Sequence, residues 1–474
     1  MSRNKDLIKN TFYVFVGNLG AKVINFILLP LYTLWLSPAD YGVVDLVNSY
    51  NNVLLMFVGL GVADALVVFP LGRTKEEING YFSTALIFHL LGCLFFFFVF
   101  LIFDIFFDTS IIGSVSDYLW LMLGVLICNT TSRLFQYFCR GIKKMSVFSY
   151  TGILGSILTF GFGIWLIPRL GVRGFMLSSI FSGIGTMLFV IVYSKSYSYF
   201  SFSSFSPSKL KDMLKYSIPL IPNMIMWWLI LSMNRPVMER AIGVAAVGLF
   251  GVAIKIPDII QMVYNFFHEA WIVTAVEQYE QPDFKNYFNN VLQILTCLQT
   301  LVCLGVMMFG QLIFDLLINE RFAEALQYVP ILCISMLFSN LATFLSSIFN
   351  ANKKTSYIFY SVIIVAAVAA ILNLTLIPTI GIWGACIALL VAQASATVSR
   401  VYFVGKFVKI EKIYFHLLNI FVCVIGAFAF KIDSPIYRYG ALISLIMVYV
   451  MINKSFLKKG ILMIKNRTHL VKEQ

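Results

Sequence analysis

The chain has 474 residues, of which 60% are hydrophobic and only 12% are Asp, Glu, Lys or Arg. A soluble globular protein has about twice that charged fraction, so the composition excludes an ordinary soluble fold and indicates a protein that crosses a membrane many times. The net charge of +13 is explained by basic cytoplasmic loops that face anionic lipid, and we expect no nucleic acid partner.

Apolar stretches of membrane-spanning length recur from one end of the chain to the other. Each is long enough to cross the ~30 Å hydrocarbon core of a bilayer as a helix. The sequence therefore predicts an all-α polytopic membrane protein with about fourteen transmembrane helices. We place these spans at residues 11–35, 43–70, 81–107, 118–140, 147–168, 174–194, 214–234, 246–272, 288–316, 326–349, 356–378, 382–404, 413–430 and 436–453.

The basic residues are distributed unevenly between the predicted loops. With both termini placed in the cytoplasm, 24 of the 35 lysines and arginines are cytoplasmic and 7 are on the opposite side. The other four lie inside spans: Lys22, Arg133, Lys255 and Arg400. This asymmetry indicates an even number of spans with both ends inside, because basic residues are retained on the cytoplasmic side.

Two short patterns occur twice, 210 residues apart. The first is Leu166-Ile167-Pro168-x-x-Gly171-x-x-Gly174, repeated as Leu376-Ile377-Pro378-x-x-Gly381-x-x-Gly384. The second is Lys143-Lys144-x-Ser146, repeated as Lys353-Lys354-x-Ser356. Nearer the amino terminus, Tyr41-Gly42 aligns with Val247-Gly248 at a separation of 206.

A repeat of six spans gives both copies the same orientation, related by a pseudo-twofold axis along the membrane normal. We therefore expect two six-helix lobes followed by two additional helices. The predicted divisions are an N-terminal lobe of residues 1–194, a cytoplasmic linker of residues 195–213, a C-terminal lobe of residues 214–405, and two spans with a basic tail at residues 406–474.

Span one carries a polar stripe. Asn18, Lys22 and Asn25 recur at i, i+4 and i+7, which places them on one face of a helix. A lysine near the bilayer centre costs at least ~2.5–3.5 kcal/mol, so this face should line a wet cavity or meet a partner. Pro30 removes a backbone hydrogen bond further along the span and gives it a place to bend.

Four cations are candidates for a cavity that binds a phosphate or carboxylate group: Lys22, Arg133, Arg235 and Lys255. Three of them have a structural alternative. Lys255 can pair with Asp258, Arg235 can pair with Glu239 one turn away, and Arg133 can extend to the cytoplasmic surface.

Arg400, near the cytoplasmic end of its span, is expected to extend to that surface in the same way.

Carboxylates within spans are candidates for binding a coupling proton or sodium ion: Asp64, Asp258 and Glu269. We expect His89 and His268 to be hydrogen-bonded structural residues rather than proton relays.

Pro219 and Pro222 interrupt span seven, the repeat partner of span one with its Pro30. Broken helices at matching places in two repeats are typical of transporter hinges and binding sites.

Nothing in the sequence indicates an enzyme. No loop is long enough to form a catalytic domain, and no glycine-rich loop is followed by Lys-Ser or Lys-Thr to bind nucleotide phosphates. The eight cysteines all fall in apolar runs without a CxxC pair, so we expect no cofactor and no metal site.

One motif resembles a known family. Pro30-Leu31-Tyr32-Thr33, followed by Leu36-Ser37-Pro38-x-x-Tyr41-Gly42-x-x-Asp45-Leu46, is similar to the amino-terminal signature of the polysaccharide transporter family. Its members are the O-antigen and capsule repeat-unit flippases of the superfamily that includes multidrug exporters and lipid II flippases. Related flippases often carry Asp-Arg at the end of span seven, whereas this chain has Asn234-Arg235.

The resemblance implies movement of an undecaprenyl-diphosphate-linked oligosaccharide from the cytoplasmic to the outer leaflet of the bacterial inner (plasma) membrane, by alternating access through a central cationic cavity. Implied partners are that lipid-linked oligosaccharide, membrane lipids, a coupling proton or sodium ion, and polysaccharide polymerase and chain-length proteins. The alternatives are a lipid II-type flippase, a cation-coupled multidrug exporter on the same scaffold, and a membrane-embedded polysaccharide polymerase.

Overall fold

The computed structural model describes the backbone of residues 27–472; side chains are described to residue 456, except those of Phe266 and Ser455. This part of the chain consists of helices and the turns that join them. It forms two compact units, unit 1 (Met1–Trp228 and Gly243–Gly248) and unit 2 (Leu229–Ile242 and Leu249–Gln474).

The helices of the first half, most of them in unit 1, are α1 (described over residues 27–35), α2 (Pro38–Val58), α3 (Val62–Val68), α4 (Lys75–Phe106), α5 (Leu119–Gly141), α6 (Met145–Leu170), α7 (Val172–Ser194), α8 (Pro207–Ser217) and α9 (Ile221–Leu231). Those of the second half are α10 (Asn234–Ile242), α11 (Val244–Ala253), α12 (Asp258–Gln278), α13 (Phe284–Leu317), α14 (Val329–Ala351), α15 (Ser356–Ile380), α16 (Ile382–Val404), α17 (Ile413–Phe430) and α18 (Pro435–Lys472).

Within residues 27–472, eleven helices or helix runs are long and apolar enough to cross a membrane, and two bent pairs raise the number to thirteen. The predicted all-helical polytopic fold is confirmed. The first predicted span lies mostly outside the described residues, so the count of fourteen stays a prediction. Many large apolar side chains on these helices are exposed, such as Phe95 (63%) and Ile105 (64%), as expected of surfaces that face lipid.

The motif that carries the family resemblance is the beginning of a helix. The Ser37 hydroxyl accepts a hydrogen bond from the Asp40 amide at 3.1 Å, and the Asp40 carboxylate accepts one from the Ser37 amide at 3.1 Å. Pro38 occupies the first turn, where its missing N–H costs nothing. The helix therefore begins at Pro38, and the predicted boundary at Val43 was wrong because this capping sequence resembles a loop.

The repeated patterns adopt repeated conformations. Gly171 and Gly381 end α6 and α15 with φ values of 55° and 64°, which glycine adopts without strain. A Cβ on Gly174 would lie 2.3 Å from the Leu166 carbonyl oxygen, and one on Gly384 would lie 2.3 Å from that of Leu376. The sequence repeat therefore encodes the same tight helix-to-helix corner twice.

The lysine pattern behaves in the same way. Lys143 and Lys353 have positive φ values of 61° and 55°. The next residue in each copy, Lys144 or Lys354, donates its amide to the carbonyl of Cys139 or Phe349, at 2.8 and 2.9 Å. Each turn thus closes the end of its helix, α5 or α14, with the same hydrogen bond.

Residues 195–213, the predicted linker, are fixed to unit 1. The Ser83 hydroxyl donates to the Tyr199 carbonyl at 3.3 Å and accepts from the Ser201 amide at 2.9 Å. The Thr84 hydroxyl accepts from the Ser206 amide at 3.0 Å. Met213, on α8, is fully buried among residues of α3, α4 and α5. Hydrogen bonds and apolar packing therefore hold this segment against α4.

The expectation for Arg400 was wrong. Its side chain is only 5% exposed, and its Nε donates to the Ser361 hydroxyl on α15 at 3.1 Å. Depth along a span can be estimated from sequence, but the face of α16 that carries Arg400 packs against neighbouring helices rather than lipid.

The two additional spans pack on α13. The Tyr449 hydroxyl on α18 donates to the Cys297 carbonyl at 3.2 Å, and the Thr296 hydroxyl lies 2.9 Å from His416 Nδ1 on α17. This places α17 and α18 in unit 2.

We predict that Gly174→Ala and Gly384→Ala each destabilise the protein by about 1–3 kcal/mol, because the new methyl group overlaps a backbone oxygen that cannot move freely. Gly161→Ala in α6 is the control, since a Cβ there meets nothing within 4 Å. Thermal unfolding in detergent measures the effect. Sensitivity at only one of the two corners, or equal damage by Gly161→Ala, would contradict this account.

Candidate functional site

The second membrane segment is broken inside unit 1. α2 and α3 are bent by 65° at residues 59–61, where Leu60 and Gly61 have φ values of 44° and 73°. Residues 43–70, predicted as one span, therefore consist of two helices that together are long and apolar enough to cross the membrane. Gly61 adopts its positive φ without strain, whereas Leu60 does so as a non-glycine residue, and the two together make the turn that a helix cannot contain.

Two other glycines allow α4 and α5 to pack directly on the broken segment. A Cβ on Gly92 would lie 1.8 Å from the Val58 carbonyl oxygen, and one on Gly141 would lie 2.0 Å from that of Leu66. No side chain other than hydrogen fits at these points. Protein therefore packs directly on both sides of the half-buried break, and irregular backbone at membrane depth needs such neighbours.

Asp64 and Arg133 form an ion pair beside the break. Arg133 on α5 directs one nitrogen, Nη2, to both carboxylate oxygens of Asp64 in the first turn of α3, at 3.3 and 3.5 Å. The side chains are 28% and 23% exposed, and the guanidinium also lies 4.8 Å from the centre of the Tyr137 ring. The sequence assigned these two residues to different roles, anion binding and ion coupling, and the structure brings them together.

His89 on α4 lies at the same place. Its Nε2 is 3.1 Å from the Thr131 hydroxyl and 3.4 Å from the Cys93 sulfur, and its side chain is buried. His89 therefore makes the hydrogen bonds that we expected of a structural residue.

Asp64, Arg133 and His89 line one small cavity, together with residues of α2 and with Met224. Its volume of about 30 Å³ holds about one or two water molecules. In this conformation the cavity is too small for a diphosphate or a sugar. It is suited to water, a proton or a small ion beside the carboxylate.

Lys255 lies in a second break. α11 and α12 are bent by 42°, and Lys255 occupies the turn at residues 254–257, which Pro257 closes. The span predicted over residues 246–272 likewise consists of two helices that meet at this turn. Asp258 and Glu269 are exposed on α12, and Lys255 is half-buried.

Arg235 begins α10. It donates to the Asn234 side-chain oxygen at 2.8 Å and to the Leu231 carbonyl, and its guanidinium lies 5.2 Å from the centre of the Phe250 ring. Asn234 therefore accepts a hydrogen bond from Arg235 at the position where related flippases carry a carboxylate.

Three of the remaining predicted residues, Asn18, Lys22 and Asn25, belong to the part of the chain that the structure does not describe. Pro30 is within α1, where its carbonyl accepts from the Thr33 hydroxyl at 3.1 Å. Pro219 lies in a 3-10 turn, Ile218–Leu220, between α8 and α9, and Pro222 lies in the first turn of α9.

The Asp64–Arg133 pair gave no signal in the sequence. The residues are 69 positions apart, on different helices, and only the fold brings them into contact. A search for opposite charges in different spans would have included this pair, but only as one of several alternatives that the sequence cannot rank.

We predict that a double-mutant cycle with D64N and R133Q gives a coupling energy of about 1 kcal/mol, because the pair is partly shielded from solvent. The matched control is Arg73–Glu77, a 3.2 Å pair whose side chains are 51% and 41% exposed. Its cycle, with R73Q and E77Q, should give about 0.3–0.5 kcal/mol. Thermal unfolding measures both, and equal coupling in the two cycles would show that the partly buried Asp64–Arg133 pair has no special role.

Two of three comparisons with known proteins gave matches to this chain. The sequence profile of a family described as polysaccharide biosynthesis protein matches residues 7–272. A search of curated proteins found no match.

Solved structures match over nearly the whole chain. The lipid II flippase MurJ in an inward closed conformation gives a TM-score of 0.71 at 15% identity, covering 96% of this chain and 100% of that chain. An inward-facing multidrug resistance MATE family transporter of the MOP superfamily gives 0.63 at 16% identity, covering 81% and 94%. A MOP superfamily transporter from Pyrococcus furiosus gives 0.59 at 15% identity, covering 85% and 95%.

At these identities the solved structures establish the fold, and the profile, which covers more than half of the chain, establishes the family. The chain belongs to the polysaccharide biosynthesis protein family and has the fold of the MATE and MurJ transporters of the MOP superfamily.

Proposed function

We propose that this protein is a flippase that moves an undecaprenyl-diphosphate-linked oligosaccharide, a repeat unit of O-antigen or capsule, from the cytoplasmic to the outer leaflet of the bacterial inner membrane. The observation that carries the proposal is the family match over residues 7–272 on a transporter fold. The proposal includes the orientation expected from the basic loops, with both termini in the cytoplasm.

The chemistry of such a substrate requires fixed cations within the membrane. A diphosphate carries about two negative charges at neutral pH, and burying an unpaired charge in hydrocarbon costs many kcal/mol. Lys22 in span one and Lys255 in the turn between α11 and α12 are our candidates for meeting that charge. Arg235, which donates to Asn234 and lies against the Phe250 ring, is a further candidate because its guanidinium keeps its charge.

Arg133 has a different role in this proposal. Its contact with Asp64 assigns it to the coupling site rather than to the diphosphate. Asp64 is half-buried and paired beside a water-sized cavity, whereas Asp258 and Glu269 are exposed. Asp64 is therefore our candidate for the coupling site, because its protonation or ion binding would change its contact with Arg133 at the point where α2 and α3 bend.

We predict that Lys22→Ala blocks the appearance of lipid-linked oligosaccharide in the outer leaflet at normal protein levels, whereas Lys22→Arg retains part of the activity because the charge is kept. Lys255→Ala should reduce transfer in the same way. Lys211→Ala, which removes an exposed lysine from α8, is the control. A leaflet-accessibility assay in cells measures transfer, and equal transfer by wild type and Lys22→Ala would remove the central role of Lys22.

We further predict that Asp64→Asn abolishes the dependence of transfer on an imposed proton or sodium gradient in reconstituted vesicles, because the amide cannot take up a proton or supply a negative charge. Asp258→Asn and Glu269→Gln should leave the gradient dependence intact. Loss of that dependence in Glu269→Gln, with Asp64→Asn unaffected, would place the coupling site on α12 instead.

A further inference from the structure

A polar pocket lies within unit 1 between α5, α6 and α7. Its volume is about 300 Å³, and its lining, in the described part of the chain, consists of glycine and uncharged polar residues alone. All three helices belong to segments that are long and apolar enough to cross a membrane. A surface of this kind is unexpected in such helices. We call it the α5–α7 pocket, after the helices that line it.

Hydrogen bonds between side chains hold the wall of this pocket in place. On α5, Gln136 donates to the Ser132 hydroxyl at 3.1 Å, which in turn lies 3.1 Å from the Thr186 hydroxyl on α7. The Thr159 hydroxyl on α6 donates to that of Ser182 at 2.9 Å. Ser132, Ser182 and Thr186 are at most 6% exposed, so the network is built into the packed interior.

The pocket presents mainly hydrogen-bond acceptors. The hydroxyls of Thr151, Ser156 and Ser179 donate to backbone carbonyls one turn earlier, at 2.7, 3.1 and 3.1 Å. Each hydroxyl oxygen keeps lone pairs that can accept from a ligand. The exposed carboxamide of Asn129 on α5 adds both donors and an acceptor. This pattern matches a ligand rich in hydroxyl groups and without charge.

The repeat within the chain shows that these polar groups are not required by the fold. α5 and α7 coincide with α14 and α16 at a uniform offset of 210 residues. Six polar lining positions lose their polar group at that offset: Ser132, Ser156, Thr159, Ser179, Ser182 and Thr186. The residue there is leucine at Leu389, opposite Ser179, and alanine in the other five cases.

Close packing of membrane helices needs small residues, and alanine meets that need. At these positions the second copy therefore packs its three equivalent helices with alkyl side chains, whereas the first copy uses hydroxyl groups. Gly152 and Gly155 likewise become Val362 and Val365 in the second copy, which fills space that the first copy leaves open. At these eight positions the hydroxyls and the open volume are thus specific to unit 1, as expected of a binding site, whereas Asn129, Gln136 and Thr151 stay polar as Ser339, Ser346 and Ser361.

We propose that the α5–α7 pocket binds a neutral sugar residue of the transported lipid-linked oligosaccharide. This inference rests on the proposed flippase function and assigns the glycan to a site of its own, apart from the cations that meet the diphosphate. A volume near the lower end of the range for small-molecule sites, ~300–1,000 Å³, admits part of an oligosaccharide rather than all of it.

The test compares two probes on the purified full-length protein in lipid nanodiscs: undecaprenyl diphosphate without sugar, and lipid-linked oligosaccharide extracted from source cells depleted of this protein. The variant S132A/T159A/S182A introduces the residue found at the equivalent positions of the second copy. We expect it to raise the dissociation constant for the glycosylated lipid about tenfold and to leave that for the bare lipid within about twofold. Asn129→Leu, at an exposed position, tests the same surface with little risk to folding.

The matched control is S149A/S178A, which removes two buried hydroxyls from α6 and α7 outside the pocket and should change neither dissociation constant. If wild type prefers the glycosylated lipid and both pocket variants retain that preference, the sugar site is elsewhere. A pocket variant that weakens binding of both probes equally also overturns the assignment. Wild type that shows no preference for the glycosylated lipid would instead contradict the proposed function on which this site depends.

Discussion

In hydrocarbon every backbone amide and carbonyl must find its partner inside the protein, and this constraint governs the structure. It explains why the described chain is helical from residue 27 onward and why departures from the helix are few. The break at residues 59–61 exists because Gly92 and Gly141 let α4 and α5 approach the carbonyls of Val58 and Leu66 directly. Without those glycines the broken segment would be exposed to lipid with unpaired groups.

The two breaks in the membrane helices are opened by different residues. Glycine opens the helix between α2 and α3, whereas Pro257 opens it between α11 and α12. One break places a carboxylate against an arginine, and the other places a lysine in a turn. The chain therefore uses irregular backbone, which is costly in a membrane, at the points where it also carries charge.

The internal repeat separates scaffold from function. The helix-to-helix corners at Gly171 and Gly381 have nearly the same φ values, because the two helices that each corner joins pack closely in the same way in both copies. The candidate site residues are not repeated in this way: Arg133 is matched by Thr343, and five hydroxyl residues of the α5–α7 pocket are matched by alanine. A single asymmetric ligand with a charged part and a sugar part needs this kind of asymmetry, since each part requires different chemistry.

The sequence by itself determined the membrane class, the helical fold, the repeat and its offset, because apolar length, helix period and turn residues are local properties. The cap at Ser37 was recognised only in the structure, and the helix that follows begins five residues earlier than expected. Only the tertiary structure decided which face of each helix a charge occupies and what it meets. Arg400 is buried against Ser361, and Arg133 pairs with Asp64 across 69 positions, because contacts between helices depend on rotation and packing that no local pattern records.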